Sequence, residues 1–237
     1  MSLDRDLAKS YNLVGDKIFE LNSLSQKSIE SSVNLFTPGS LKKKTPQPID
    51  VEVYTLVSGL PFSKNLILPL SKLKNELNKI LKDLTCYWVR PENLAIEYCV
   101  FKWPNDPWKK KWLSEIKSFF NFKEYHSFDL IISGIQLHTD GCIIAKGYDG
   151  GFVRNIRLDA TSNLEFIPNK QSNWAHIPLG RILEPISGQV FERLKKNITK
   201  LSNLNIGKEK ITNAKLIYET RWYMEKKKVL YTKNFKI

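Results

Sequence analysis

Apolar positions along the chain recur with two periods, and the switches between them mark out the elements. Val51, Val53, Thr55 and Val57 alternate with Tyr54 and Leu56, a strand closed by Gly59 and Pro61. Leu70, Leu73, Leu77, Ile80, Leu81 and Leu84 then fall on one stripe, which predicts a helix over 69–84. Alternation resumes at 94–101 after the turn Pro91-Glu92-Asn93, with Ile96, Tyr98 and Val100 on one face and Ala95, Glu97, Cys99 and Phe101 on the other. Asp106-Pro107 reads as the cap and first position of a helix whose stripe is Trp108, Trp112, Ile116, Phe119 and Phe120.

Strands are expected at 128–132, 135–138 and 142–146, with 152–158 continuing the same sheet. In 174–184 the alternation places His176, Pro178 and Gly180 on one face and Ile177, Leu179 and Arg181 on the other. A helix over 188–201 follows, with Val190, Phe191, Leu194, Ile198 and Leu201 as its stripe. Two strands, 211–224 and 229–237, close the chain around a turn at 225–228. This mixture predicts an α+β fold with mainly antiparallel pairing, in which two halves echo each other as two lobes around a central cleft.

The first 48 residues read as a helical N-terminal extension and linker, and 49–237 as the bilobal domain. Leu7, Tyr11, Val14, Ile18 and Leu21 give the extension one amphipathic helix. Ile29, Val33 and Phe36 give it a second, stopped by Pro38-Gly39.

Charge and cysteines narrow the class. The 37 basic and 24 acidic side chains leave a formal charge of +13, which favours phosphates and nucleic acid as partners. Cys86, Cys99 and Cys142 match neither a disulfide framework nor a zinc site and read as reduced thiols; no metal or cofactor is expected. The start of the chain has no signal-peptide core, and no apolar run approaches the ~18–20 residues of a membrane span. A soluble, cytoplasmic monomer is the expectation. The tryptophans at 108 and 112, interleaved with Lys109, Lys110 and Lys111, fit a base-stacking platform, but their helical spacing fits core packing better.

Three stretches resemble the 2H phosphoesterase superfamily, which groups RNA 2′,5′-ligase-like proteins with cyclic phosphodiesterases: Trp88–Phe101, Ala175–Ile182 and the closing pair of strands. The resemblance implies two His-x-Thr/Ser strands facing across the cleft, the histidines exchanging protons and the hydroxyls holding phosphate. Such residues stand two apart because only alternate strand positions share a face. Here Ala95 takes the first histidine position and Glu97 the hydroxyl position; His176 matches the second histidine and Pro178 replaces its hydroxyl.

Two readings follow. In one, His176 and Glu97 form a catalytic pair acting on RNA 2′,3′-cyclic or 2′,5′-linked phosphodiesters, with Cys99, Pro178, Gly180 and Arg181 about the substrate. In this reading strict alternation leaves Arg181 pointing away from His176. In the other, the same cleft binds RNA or a phosphorylated nucleotide without chemistry. His126 and His138 read as surface or structural residues.

Overall fold

The computed structural model describes residues 2–237, with side-chain surroundings from Asp4 onward. Helix α1 (Ser2–Gly15) and a 3-10 turn lead to β1 (Ser23–Leu24), α2 (Gln26–Val33) and α3 (Pro38–Lys42). Next come β2 (Asp50–Gly59), α4 (Lys64–Ile80), β3 (Cys86–Trp88), β4 (Ala95–Lys102), α5 (Lys110–Phe122), β5 (Phe128–Leu137) and β6 (Cys142–Tyr148). The chain finishes with α6 (Phe152–Asn163), β7 (Ile177–Ile182), β8 (Ile186–Ser187), α7 (Gly188–Leu201), β9 (Asn205–Ile211), β10 (Asn213–Arg221) and β11 (Lys226–Asn234).

The strands form an α+β architecture of two main antiparallel sheets, ordered β11-β10-β2-β4 and β3-β7-β6-β5-β9, with β1 and β8 pairing separately. Each sheet carries helices on one face. Phe101 of the first sheet meets Phe120 of α5 edge to face at 6.2 Å. Leu66, Leu70, Phe191, Leu194 and Ile198 of α4 and α7 join the core with Leu130, Ile132 and Leu137 of β5. Burying these stripes removes apolar area worth ~25 cal/mol per Å² and holds the lobes as one core.

Four sequence expectations change. Residues 152–158 are helix α6, not strand: the Asp149 carboxylate accepts the Gly151 and Val153 N–H groups and so caps the first turn. Helix α4 starts at Lys64, enclosing Pro69, because Ser63 stands extended before it. Asp106 does not cap α5; it accepts the Trp103 N–H, and α5 begins at Lys110. The closing hairpin turns at 222–225, where Tyr223 and Met224 take positive φ of 62° and 56°. The aromatic stripe packs inward: Trp108, just before α5, stacks on Tyr54 at 4.2 Å, and Trp112 of α5 on Phe166 at 4.6 Å. Among the described residues no helix is long and apolar enough to cross a membrane.

Candidate functional site

On β4 the register decides which side chains share a face. Glu97 stands opposite Val57, but Cys99 stands opposite Leu56, so Tyr98 is an extra residue and forms a bulge. Directly opposed residues share a face, and Val57 packs with Ala95, Ile217 and Met224 away from the helices, whereas Leu56 and Cys99 belong to the main core. Glu97 therefore faces the space between the lobes. Cys99 does not: it is buried among core residues, and burial, with Glu97 adding to it, pushes its thiol up to about 12.

Glu97 does not stand alone on that face. Glu219 of β10 opposes Val53 of β2 and receives the Met224 N–H at 2.8 Å. Burial raises the Glu97 carboxyl to about 7, against the pull of Arg157 and a long 3.4 Å contact from the Thr55 hydroxyl. That hydroxyl also donates to Cys99 O at 3.0 Å, so a single proton serves two acceptors. Burial raises Glu219 to about 8; Met224 N–H opposes the shift and Glu97 reinforces it. The first lobe thus presents Ala95 and Glu97 where the family resemblance implies histidine and hydroxyl, with a second weakly compensated carboxyl, Glu219, beside them.

The second lobe contains a matching irregularity. Ile144 opposes Pro178, Ile143 opposes Gly180 and Cys142 opposes Arg181, which leaves Leu179 as the extra residue. Strict alternation fails there. Arg181 joins Pro178 on the face of Ile144 and Cys142, and Gly180 turns to the core side with Ile143, between Tyr87 and Trp88. Arg181 bonds Asp140 at 2.9 Å and Ser32 at 2.5 Å, and it reaches the Tyr223 hydroxyl on the hairpin of the other sheet. This face therefore looks toward the first lobe.

His176 directly precedes β7, and Trp174 lies edge-on to it at 5.8 Å. Burial lowers the imidazole to about 4, with the charges of His138, Arg157 and Arg181 adding to the effect. Its Nδ1, like Nε2 of His138 and Oε1 of Gln136, is buried without a hydrogen-bond partner among the described residues. His138, read from sequence as peripheral, is a neighbour of this group: Trp174 meets it at 5.3 Å and burial lowers its pKa. No single-strand pattern could reveal this, since two strands and a loop bring the rings together. His126 lies apart, bridged to Lys236.

Arg157 is the functional candidate that pattern reading missed, because 152–158 was read as strand. Its Nε donates to Tyr98 O at 2.7 Å and its Nη2 to Glu97 O at 3.2 Å, which seals the free edge of β4. It influences both Glu97 and His176, whereas no hydrogen bond or ion pair links those two directly.

This pair of lobes, each turning one sheet face toward the other, has the LigT-like fold expected from the resemblance. Solved structures bear the fold out. TT0787 of Thermus thermophilus superposes with a TM-score of 0.53 at 15% identity, over 78% of this chain and 98% of its own. Escherichia coli LigT superposes at 0.55 with 8% identity, over 79% and 99%. A further phosphoesterase gives 0.54 at 9% identity, over 78% and 99%. Neither a family model nor a curated protein sequence matches the chain.

Proposed function

We propose that this protein uses the LigT-like fold to bind RNA or a phosphorylated nucleotide between its lobes, and that it does not hydrolyse phosphodiesters. One observation carries this reading: the inter-lobe face of the first sheet bears Ala95, Glu97 and Glu219 in place of a proton-transfer histidine and a phosphate-holding hydroxyl. On the second sheet His176 is neutral near pH 7 and Pro178 has no hydroxyl. Crystal structures of LigT complexed with ATP, 3′-AMP and NADP+ support a nucleotide as the ligand class. The charge of +13 supports phosphate contacts spread over the surface.

In this reading residues 1–48 are an addition to a bilobal 49–237 domain, and the protein acts as a cytoplasmic monomer. Arg181 is a substrate-facing residue, and Cys99 and Gly180 are supporting residues. The test is RNA association at low salt alongside turnover of 2′,3′-cyclic nucleotides and 2′,5′-linked dinucleotides. Association that weakens with salt, persists in His176→Ala and is accompanied by no turnover is the expected result. Absence of RNA affinity at low salt overturns it.

A second reading is favoured by one specific value, the Glu97 carboxyl raised to about 7, which suits a general base at neutral pH. There Glu97 and His176 form an acid–base pair on 2′,3′-cyclic or 2′,5′-linked substrates. Turnover by the wild type that is lost in both Glu97→Gln and His176→Ala establishes it in place of the first.

A further inference from the structure

Helix α1 lies on the inter-lobe face of the second sheet. Tyr11 is fully buried there against Cys142 and Ile144, with Leu7, Tyr148 and Trp174 around it. Those β6 residues share the face that carries Pro178 and Arg181, so α1 covers the side on which His176 stands. The Tyr11 contacts form a specific pattern. Its ring packs against Trp174, tilted by 41° with centroids 5.0 Å apart, and its hydroxyl donates to Gly147 O at 3.2 Å and accepts from Gly147 N–H at 3.3 Å. An aromatic ring is thus held tilted against an indole, with its polar end paired to one donor and one acceptor of β6 just past its last pair with β7, Ala145–Ile177. A nucleobase offers the same combination of π face and hydrogen-bonding edge.

Two further observations extend the match. The unpartnered Gln136 Oε1, His138 Nε2 and His176 Nδ1 belong to this covered face, a set of polar atoms that buried groups seldom leave unused. A cavity of about 340 Å³ adjoins Trp174 where α1 meets α6, lined in part by Asp6, Ser10, Arg154 and Asn173. Arg154 is exposed and forms no ion pair among the described residues, whereas Asp149 beside it is spent on capping α6.

We propose that Tyr11 is an internal plug occupying a nucleobase position on Trp174, and that α1 undocks to admit the base of a nucleotide whose sugar-phosphate enters the adjoining cavity. The proposal rests on the nucleotide-binding reading above. Closed, the strap satisfies Gly147 and covers Trp174; open, it frees both and lets water or ligand reach the three unpartnered atoms.

Cys142 reports opening, because it lies under Tyr11, whereas Cys99 in the main core reports global unfolding. In the full-length protein Tyr11→Ala is expected to speed alkylation of Cys142 by iodoacetamide about tenfold or more with Cys99 unchanged, as local opening requires. Tyr11→Phe, which keeps the ring, should fall between. Adenosine 2′,3′-cyclic phosphate should bind Tyr11→Ala about tenfold tighter than wild type, the gain vanishing with added Trp174→Ala, while ribose 5-phosphate gains nothing. Equal Cys142 rates in wild type and Tyr11→Ala, or labelling of Cys142 and Cys99 in step, overturn the plug. Faster Cys142 labelling with unchanged nucleotide affinity overturns the base position; if RNA still binds, the proposed function survives that failure, and if RNA binding is also absent, both fall.

Discussion

The two inter-lobe faces of this molecule differ in opposite ways from the pattern that the family resemblance implies. The first sheet carries two buried carboxyls on that face, Glu97 and Glu219, each raised by burial. The second buries a histidine, His176, beside Trp174, on the face that α1 covers. One face is set apart by its acid groups; the other, by the helix that covers it. Two bulges, at Tyr98 and Leu179, then set which neighbours count as part of each face.

The contrast can be broken at its shared residue. Arg157 is buried and donates to two β4 carbonyls, so Arg157→Ala is expected to cost about 3 kcal/mol, since buried acceptors lose a charged donor. A urea midpoint close to wild type would show that the tie contributes nothing. Next in size is the pH response of the first face. Glu97 and Glu219 have folded pKa values above the ordinary value of 4.5, so their contribution is fully present below about pH 4.5 and is lost as pH rises through 7 and 8. Wild type should therefore lose on the order of 2 kcal/mol between pH 6 and 9, a loss that Glu219→Gln largely removes. A flat wild-type profile in chemical denaturation across that range would contradict the raised carboxyls.

Gly180→Ala tests the register of the second face. An added methyl meets Tyr87 O and Trp88 on the core side, and a cost of about 2 kcal/mol is expected from overpacking. If Gly180 faced the cleft instead, the variant would unfold at the wild-type midpoint. The smallest effect concerns His176. Its folded pKa lies below the ordinary value of 6.5, so its contribution is present above pH 6.5 and is lost as pH falls through about 4. His176→Gln should gain about 1 kcal/mol on wild type near pH 5 and nothing near pH 8. A gain of equal size at both values would point to packing rather than titration.

Much of the fold was legible in the chain. The stripe Phe191, Leu194, Ile198 and Leu201 located α7 with its ends, and the alternation at 128–132, 135–138 and 142–146 located the sheet segments, the first two of which join as the single strand β5, because period and turn chemistry act locally. Residues 152–158 misled, since the side chain that starts α6 is Asp149, whose capping role depends on the turn before it. At the site, the positions of Ala95, Glu97, His176 and Pro178 were readable from motif spacing. The faces of Cys99, Gly180 and Arg181 were not, because a bulge inserts one residue and reverses every later alternation.

By itself, then, the amino-acid sequence determined the α+β order of elements, the basic charge and the absence of one histidine and two hydroxyls that the family resemblance implies, all of which follow from residue identity and local periodicity. Only the tertiary structure decided that Arg181 turns inward, that Glu219 joins Glu97, that His138 approaches His176 and that Tyr11 covers Trp174. Each of these depends on register and on contacts between residues far apart in the chain or on different strands. The free energy of such contacts comes from burial and charge in three dimensions, which no window along the chain contains.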